Sequence, residues 1–356
     1  MRSNFGILLV ALTFSIPVSA QDFAMLQPTS FSLFDRPGNK LGALDGAETW
    51  INSPPLSAAD LAGKVVLVDF WTYTCINWRR TLPHLRAWTE KYRDSGLVVI
   101  GVHTPEFRFE RDLDNIRRAA RDQDIRYPIA VDSSYAIWND FDNQYWPALY
   151  LIDAQGRVRD HKSGEGDYAE IETAIQRLLA ESGHHSFDPK PVSVKGRGAE
   201  AEADWRSLRS PETYVGAARG GSFASVREVL PDRSRAYSFP THLKLNEWAL
   251  AGIWKLEADS AMTNAPGGRI AYRFHARDLH LVMGPRKRGE PIAFRVTIDG
   301  KPPGAASGVD IGADGRGTLD GQRMYQLIRQ TEPIVDRQFE IEFLDAGAEV
   351  FVFTFG

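Results

Sequence analysis

The sequence predicts two domains of different class: an α/β domain with a central sheet, then an all-β sandwich of jelly-roll type. Two observations carry this. Up to about residue 183, short β-branched apolar runs alternate with amphipathic helical stretches, the pattern of a sheet covered by helices. Beyond about residue 206, short runs with period-two patterning and turns such as "DG" and "PGG" take over. A chain of 356 residues has room for both.

The first 20 residues, "MRSNFGILLVALTFSIPVSA", stand apart. Arg2 precedes an apolar run from Phe5 to Val18, and small residues follow, so the stretch reads as a secretory signal peptide cleaved after Ala20. The run is too short for a comfortable membrane span, and no later stretch approaches the ~20 apolar residues a transmembrane helix needs. The expected mature protein is periplasmic, with no transmembrane segment after cleavage. An apolar fraction of 43%, 25% charged residues and a net charge of −4 point to an ordinary globular protein and give no sign of a nucleic-acid partner. An aromatic content of 11% excludes a disordered chain.

The elements of the α/β domain, residues 21–183, follow in order. "KVVLVDFW", 64–71, is a compact apolar run and reads as a buried strand. From Cys75 to Gly96 the apolar positions Leu82, Leu85 and Trp88 recur at helical spacing, Gly96 ends the helix, and Pro83 is expected to kink it. "LVVIGVH", 97–103, is a second buried strand. "FERDLDNIRRAARDQDI", 109–125, is a charged amphipathic helix. "YPIAVD" and "ALYLIDAQGRVR" read as strands, the latter with a "DAQG" turn, and "DYAEIETAIQRLLAES" as the last helix. Residues 184–206 are polar and rich in Pro, Gly and charge, which predicts a linker. Residues 207–356 form the β domain, with runs such as "RIAYRFHARDLHLVM", "IAFRVTIDG" and "RQFEIEFLDAGAEVFVFTF".

Cys75 is the only cysteine. An exported chain with one cysteine holds a reactive thiol, an intermolecular crosslink or a buried small hydrophobe. Its setting favours reactivity. Strand, short loop and cysteine at the first turn of a helix place the sulfur where unpaired N–H groups and the helix dipole stabilise a thiolate. Arg79 and Arg80 follow within about a turn and are expected to add positive charge, so the expected thiol pKa is low.

Residues 45–168 resemble the thioredoxin superfamily, in particular the extracytoplasmic thioredoxin-like module of DipZ-type and TlpA-like proteins. The matching stretches are "WINSPPL", "GKVVLVDFWTYTCINW", "RAWTEKYRDSGLVVIGVHTPEF", "NQYWPALYLID" and "GEGDY", in order along nearly the whole first domain. The β domain resembles the C-terminal module of DipZ-type proteins through "SPETYVGAARGGSFAS", "WALAGIW" and "FHARDLHLVMGP". The resemblance implies a thioredoxin fold, with the attacking cysteine at Cys75 and the cis proline of the family at Pro147, after Trp146. The resolving cysteine of the family maps onto Trp78, where the match fails.

That departure limits the chemistry. In dithiol exchange the first thiolate forms a mixed disulfide and the second resolves it. Cys75 is able to make the first step and needs an outside thiol for the second. The expected function is therefore thiol-disulfide exchange through a single cysteine, with protein or small-molecule thiols and disulfides as partners and no cofactor. Two alternatives remain open. Thr72 lies three residues before Cys75, the Thr-x-x-Cys spacing of peroxiredoxins, which suggests a one-cysteine thiol peroxidase passing through a sulfenic acid. Against it, residues 68–71 lack the upstream proline of those proteins. The other alternative is a degenerate site on a binding protein.

Trp71, Thr72, Thr74, Asn77, Trp78 and Arg79 are expected to shape the Cys75 loop, with Trp146 and Pro147 opposite. His103 ends a strand, where functional groups gather in open α/β sheets, and is a candidate to orient or deprotonate the thiol, set against a packing role. Glu106 is a candidate carboxylate near the site, set against a solvated loop acid. No metal site is expected: the pair His184–His185 has no partners, and His275 and His280, five apart in one strand, would face opposite sides. In the β domain, Tyr237, Trp248, Trp254 and Tyr272 are candidates to line a carbohydrate-binding face, set against a role in the core; a protein ligand is the other partner considered.

Overall fold

The computed structural model describes residues 32–33, 39–225 and 229–356, and it shows an α/β domain followed by an antiparallel β domain. The expected signal peptide lies outside the described residues. The first domain contains β1 (Ser32–Leu33), β2 (Thr49–Ile51), β3 (Val65–Trp71), α1 (Ile76–Tyr92), β4 (Leu97–His103), α2 (Leu113–Asp122), β5 (Ile129–Val131), α3 (Ala136–Asp140), β6 (Ala148–Ile152), β7 (Val158–Ser163) and α4 (Tyr168–Glu181). Its sheet runs β1-β7-β6-β3-β4-β5-β2, with β3–β4 and β4–β5 parallel and β3–β6 antiparallel.

Every residue of β3 is buried. Alternation explains why an unbroken apolar run suits it. Val65, Leu67 and Trp71 pack with Leu82, Leu85 and Trp88 of α1 and Ile175 of α4, while Val66, Val68 and Phe70 pack with Ile137, Trp138 and Phe141 on the other face. The α1 helix continues through Pro83 and ends in a 3-10 turn before Gly96, whose φ of +92° suits a residue without Cβ. The α2 helix is shorter than its charged stretch suggested. Asp112 accepts from the backbone N–H groups of Asp114 and Asn115, and this cap starts the helix there, after a separate 3-10 turn at Arg108–Arg111.

Residues 184–206 hold one short 3-10 turn, Gly198–Glu200, and lie against the first domain. The Val192 N–H donates to the Glu172 carboxylate at 2.9 Å, and Arg86 pairs with Glu200.

The second domain contains β8 (Thr213–Tyr214), β9 (Ser234–Tyr237), β10 (Trp248–Leu256), β11 (Ala261–Thr263), β12 (Gly268–Phe274), β13 (Asp278–Pro285), β14 (Ile292–Ile298), β15 (Arg316–Leu319), β16 (Arg323–Arg329), β17 (Arg337–Phe343) and β18 (Ala348–Phe355). Strand β10 serves two layers: Trp248–Ala251 pair with β12, and Trp254–Leu256 pair with β11. The change falls around Gly252, where φ is +97° and an added Cβ would meet Gly268 Cα at 3.2 Å.

Two expectations for this domain are corrected. Tyr237, Trp248, Trp254 and Tyr272 are all buried, at 6% exposure or less, and belong to the core between the layers, so they offer no face for stacking sugars. "RIAYRFHARDLHLVM" is two strands, because the chain turns at His275–Arg277 from β12 to β13. His275 and His280 are thus kept apart by a change of layer and not by alternation along one strand. His275 meets Asp336 at 2.6 Å, and His280 is buried in β13. Among the described residues, no three His, Cys, Asp or Glu side chains cluster as metal ligands do.

The two domains share a core. Phe351 of β18 packs 5.1 Å from Phe107 and 4.8 Å from Phe109, ring centre to ring centre. Val282, Met324 and Val352 of the second domain join the same apolar cluster as α1. Arg80 Nη1 donates to the Phe355 carbonyl at 3.3 Å. The second domain therefore lies against the end of the first domain where β3, α1 and the segment after β4 meet.

Candidate functional site

The site is built where β3 turns into α1. Cys75 is the N-cap residue of α1, with extended backbone (φ −69°, ψ 116°). Its N–H donates to the Thr72 carbonyl at 3.2 Å, and the Thr104 N–H donates to the Trp71 carbonyl at 3.1 Å, tying the turn to the end of β4. The Trp146–Pro147 peptide is cis, and Cys75 Sγ lies 3.8 Å from the Trp146 carbonyl oxygen. The structure thus brings Cys75, Trp146 and Pro147 together. The Trp146 ring rests on Trp138, with centres 4.3 Å apart, and its Nε1–H donates to the Thr104 carbonyl at 3.0 Å. Cys75 keeps part of its surface open.

Trp78 points inward. It is fully buried, stacks on Trp71 at 4.3 Å, and donates its Nε1–H to Asp69 Oδ2 at 2.9 Å. It fills the interior below the turn, while Cys75 itself is half-buried. Asp69 sits at the middle of β3 with no exposure, and burial pushes its carboxyl up to about 7 against the Trp78 hydrogen bond.

The thiol does not have the low pKa expected of it. Burial, then the Glu212 carboxylate, then Glu106 push Cys75 well above its ordinary value. The helix N-terminus does act as expected, since the backbone N–H groups of Trp78 and Asn77 pull the other way, but they are outweighed. The two arginines are engaged with other groups as well. Arg80 is clamped by Glu165 at 2.6 and 2.7 Å and by Asn77 Oδ1 at 2.8 Å. Burial lowers the pKa of Arg79, which feels the charges of Glu200, Arg86, Asp310 and Arg323.

His103 is fully buried, edge-on to Trp71 at 4.8 Å and stacked on Tyr73 at 5.7 Å, and neither ring nitrogen finds a partner among the described residues. Burial holds it down to about 3, so it stays neutral and serves as packing. Thr72 is fully buried; Thr74 Oγ1 donates to Glu110 Oε1 at 2.7 Å. Glu106 is no solvated loop acid: Tyr214 Oη donates to it at 2.6 Å and Arg219 Nη1 at 3.0 Å, both from the second domain.

The sequence reading missed five residues here: Asp69, Glu110, Glu212, Tyr214 and Arg219. Asp69 carried a legible signal, a lone charge at the centre of an apolar run. Glu110 was hidden inside a charged stretch. The other three lie more than a hundred positions from the residues they meet.

Residues 210–356 match the family described as "Thioredoxin like C-terminal domain", and residues 47–161 match the AhpC/TSA family. The chain is 39% identical over 262 residues to Protein DipZ of Mycobacterium tuberculosis, which covers 73% of this chain and 36% of that one. It therefore spans about a third of that relative's length. It is 32% identical over 139 residues to the thiol-disulfide oxidoreductase YkuV of Bacillus subtilis, covering 39% of this chain and 93% of that one. A solved thioredoxin-like protein in the oxidised form matches 42% of this chain and 97% of its own, at 29% identity and a TM-score of 0.35.

Proposed function

Since the chain belongs to the thioredoxin superfamily, we propose that it is an exported thiol-disulfide exchange protein working through Cys75 alone. The observation that carries this reading is a half-buried Cys75 at the start of α1, facing Trp146–Pro147, with Trp78 buried in the place of a resolving thiol. The first step follows from this. The Cys75 thiolate attacks a disulfide R–S–S–R′, a Cys75–S–S–R bond forms, and R′S⁻ leaves. A second, external thiolate then attacks the mixed disulfide and returns Cys75. Trp71, Thr72, Thr74, Asn77 and Trp78 hold the loop, and Trp146 and Pro147 form the opposing wall. Arg79, half-buried in the first turn of α1, is kept with them as a residue that shapes the loop. Export rests on the sequence of residues 1–20; no helix among the described residues is long and apolar enough to cross a membrane.

The raised thiol pKa gives the exchange a direction. A thiol that ionises reluctantly is a slow nucleophile at neutral pH and a poor leaving group once bonded, so the mixed disulfide should persist. The same feature counts against the peroxidase reading, which needs a ready thiolate.

The test is incubation of the mature protein with glutathione disulfide, followed by intact mass. One glutathione per chain is expected, gained faster as pH rises from 7 to 9, released by dithiothreitol and absent in Cys75→Ser. A protein that gains no adduct until it is unfolded would remove the exchange reading and leave a binding protein on this fold.

A further inference from the structure

The second domain reaches the Cys75 loop through a continuous chain of polar contacts. Thr74, the residue before Cys75, donates to Glu110 Oε1 at 2.7 Å. Glu110 Oε2 accepts from the backbone N–H groups of Glu106 at 2.8 Å and Phe107 at 2.9 Å. The Glu106 carboxylate then receives Tyr214 Oη at 2.6 Å and Arg219 Nη1 at 3.0 Å. Tyr214 is fixed in β8, paired with Val352 of β18, and the Arg219 guanidinium lies 3.7 Å from the centre of its ring. Phe107 completes the grip by packing on Phe351. Both ends are anchored: one in the turn that holds the sulfur, the other in the β domain.

We propose that the second domain is a working part of the thiol site, and that Glu106, gripped by Tyr214 and Arg219, is the positioning residue through which that domain sets how readily Cys75 reacts. The proposal rests on the exchange reading above. Its physics is electrostatic. A carboxylate beside a thiol disfavours the thiolate, and a guanidinium bonded to that carboxylate cancels part of its effect. Glu106 is largely shielded from water while the Arg219 side chain is 44% exposed, so the carboxylate is the stronger of the two terms and the guanidinium the more screened. The other charged or titratable groups facing this pair are Glu110, Glu212, Tyr135 and Arg80. Arg80 is already spent on Glu165, which leaves Arg219 to offset Glu106.

The two partners should therefore have opposite effects, a signature that loosening the fold would not produce. The experiment is the alkylation rate of Cys75 by iodoacetamide from pH 6 to 10, in the full mature protein. Glu106→Gln should move the midpoint down and raise the rate at pH 8 about fivefold, and Arg219→Ala should move it up and lower the rate about threefold. Arg219→Lys, which keeps the charge, should stay near the wild-type profile. Near-ultraviolet circular dichroism checks that each variant is folded. Equal shifts of the same sign, or folded variants with the wild-type midpoint, would overturn the proposal. Adduct formation with glutathione disulfide is read separately in the wild type. A wild type that forms the adduct while the variants share its profile would sink the positioning role and keep the exchange function. Opposite shifts in a protein that never forms the adduct would sink the exchange function and keep the positioning role.

Discussion

Trp78→Cys, which restores the spacing of a dithiol motif, is expected to cost the protein most of its stability and not to restore a robust dithiol enzyme. Two losses add. Trp78 is fully buried and stacked on Trp71, so replacing its indole by a thiol opens a large cavity; truncations of this size cost about 3–5 kcal/mol. Its Nε1–H is also the donor to Asp69 Oδ2, and a buried acceptor left without a partner costs about 1–3 kcal/mol more. Domains are stable by only about 5–15 kcal/mol, so the sum is a large share of the total. Urea unfolding of the reduced variant at pH 7 would show it as a large drop in midpoint at unchanged slope. A variant within about 1 kcal/mol of wild type would mean that the site retains room for a second cysteine, and that Trp78 is not what keeps the motif single. Trp78→Phe separates the two losses. It keeps a stacking ring on Trp71 and loses only the hydrogen bond and part of the volume, so its cost should be the smaller.

How far the sequence disclosed this site depended on the range of the interactions. Strand β3, helix α1 and strand β4 were legible because apolar runs and helical spacing are local signals, and β3 is covered on both faces, which suits a continuous apolar run. The placement of Cys75, Trp78 and Pro147 came through resemblance. The reading of the thiol failed on long-range terms. Arg79 and Arg80 are close in sequence to Cys75, yet one is set among the charges of Glu200, Arg86 and Asp310 and the other is held by Glu165. The groups that do reach the thiol, Glu212 and Glu106, come from two domains. No window of sequence relates Glu106 to Tyr214 and Arg219; only the docking of β8 and β18 does. The aromatics of the β domain failed for a related reason. Alternation marks which residues share a face, but it does not say which face is inside.

Asp69→Asn should remove much of the pH dependence of stability between pH 4 and 8. Asp69 is fully buried in β3, and among the described residues only one of its carboxyl oxygens is bonded, to Trp78, while the other has no partner. Burial raises it from 3.8 to about 7. A carboxyl whose folded pKa lies above its unfolded value binds its proton more tightly when folded. Its stabilising contribution is complete below about 3.8 and is lost as pH rises through about 7. Across that window the wild type should lose about 2–4 kcal/mol from this residue, at about 1.4 kcal/mol per unit of displacement. Glu110, raised to about 7 chiefly by burial, should add a loss of the same sign, while His84, His103 and His280, all held low by burial, act in the opposite sense, so the Asp69 share is read from the difference between the two proteins. Asparagine keeps an oxygen for the Trp78 N–H and carries no proton to lose. Its stability at pH 8 should therefore approach or exceed that of the wild type, while at pH 5 the two should be close. Urea midpoints at half-unit steps of pH measure both slopes. A variant as steep as the wild type would show that Asp69 is not the group that titrates, and would move the dependence to Glu110. The result bears on the thiol as well. Asp69 bonds Trp78, which stacks on Trp71 beneath the turn that carries Cys75, so the packing under the thiol takes on a buried charge near pH 7, well below the range in which the raised thiol ionises.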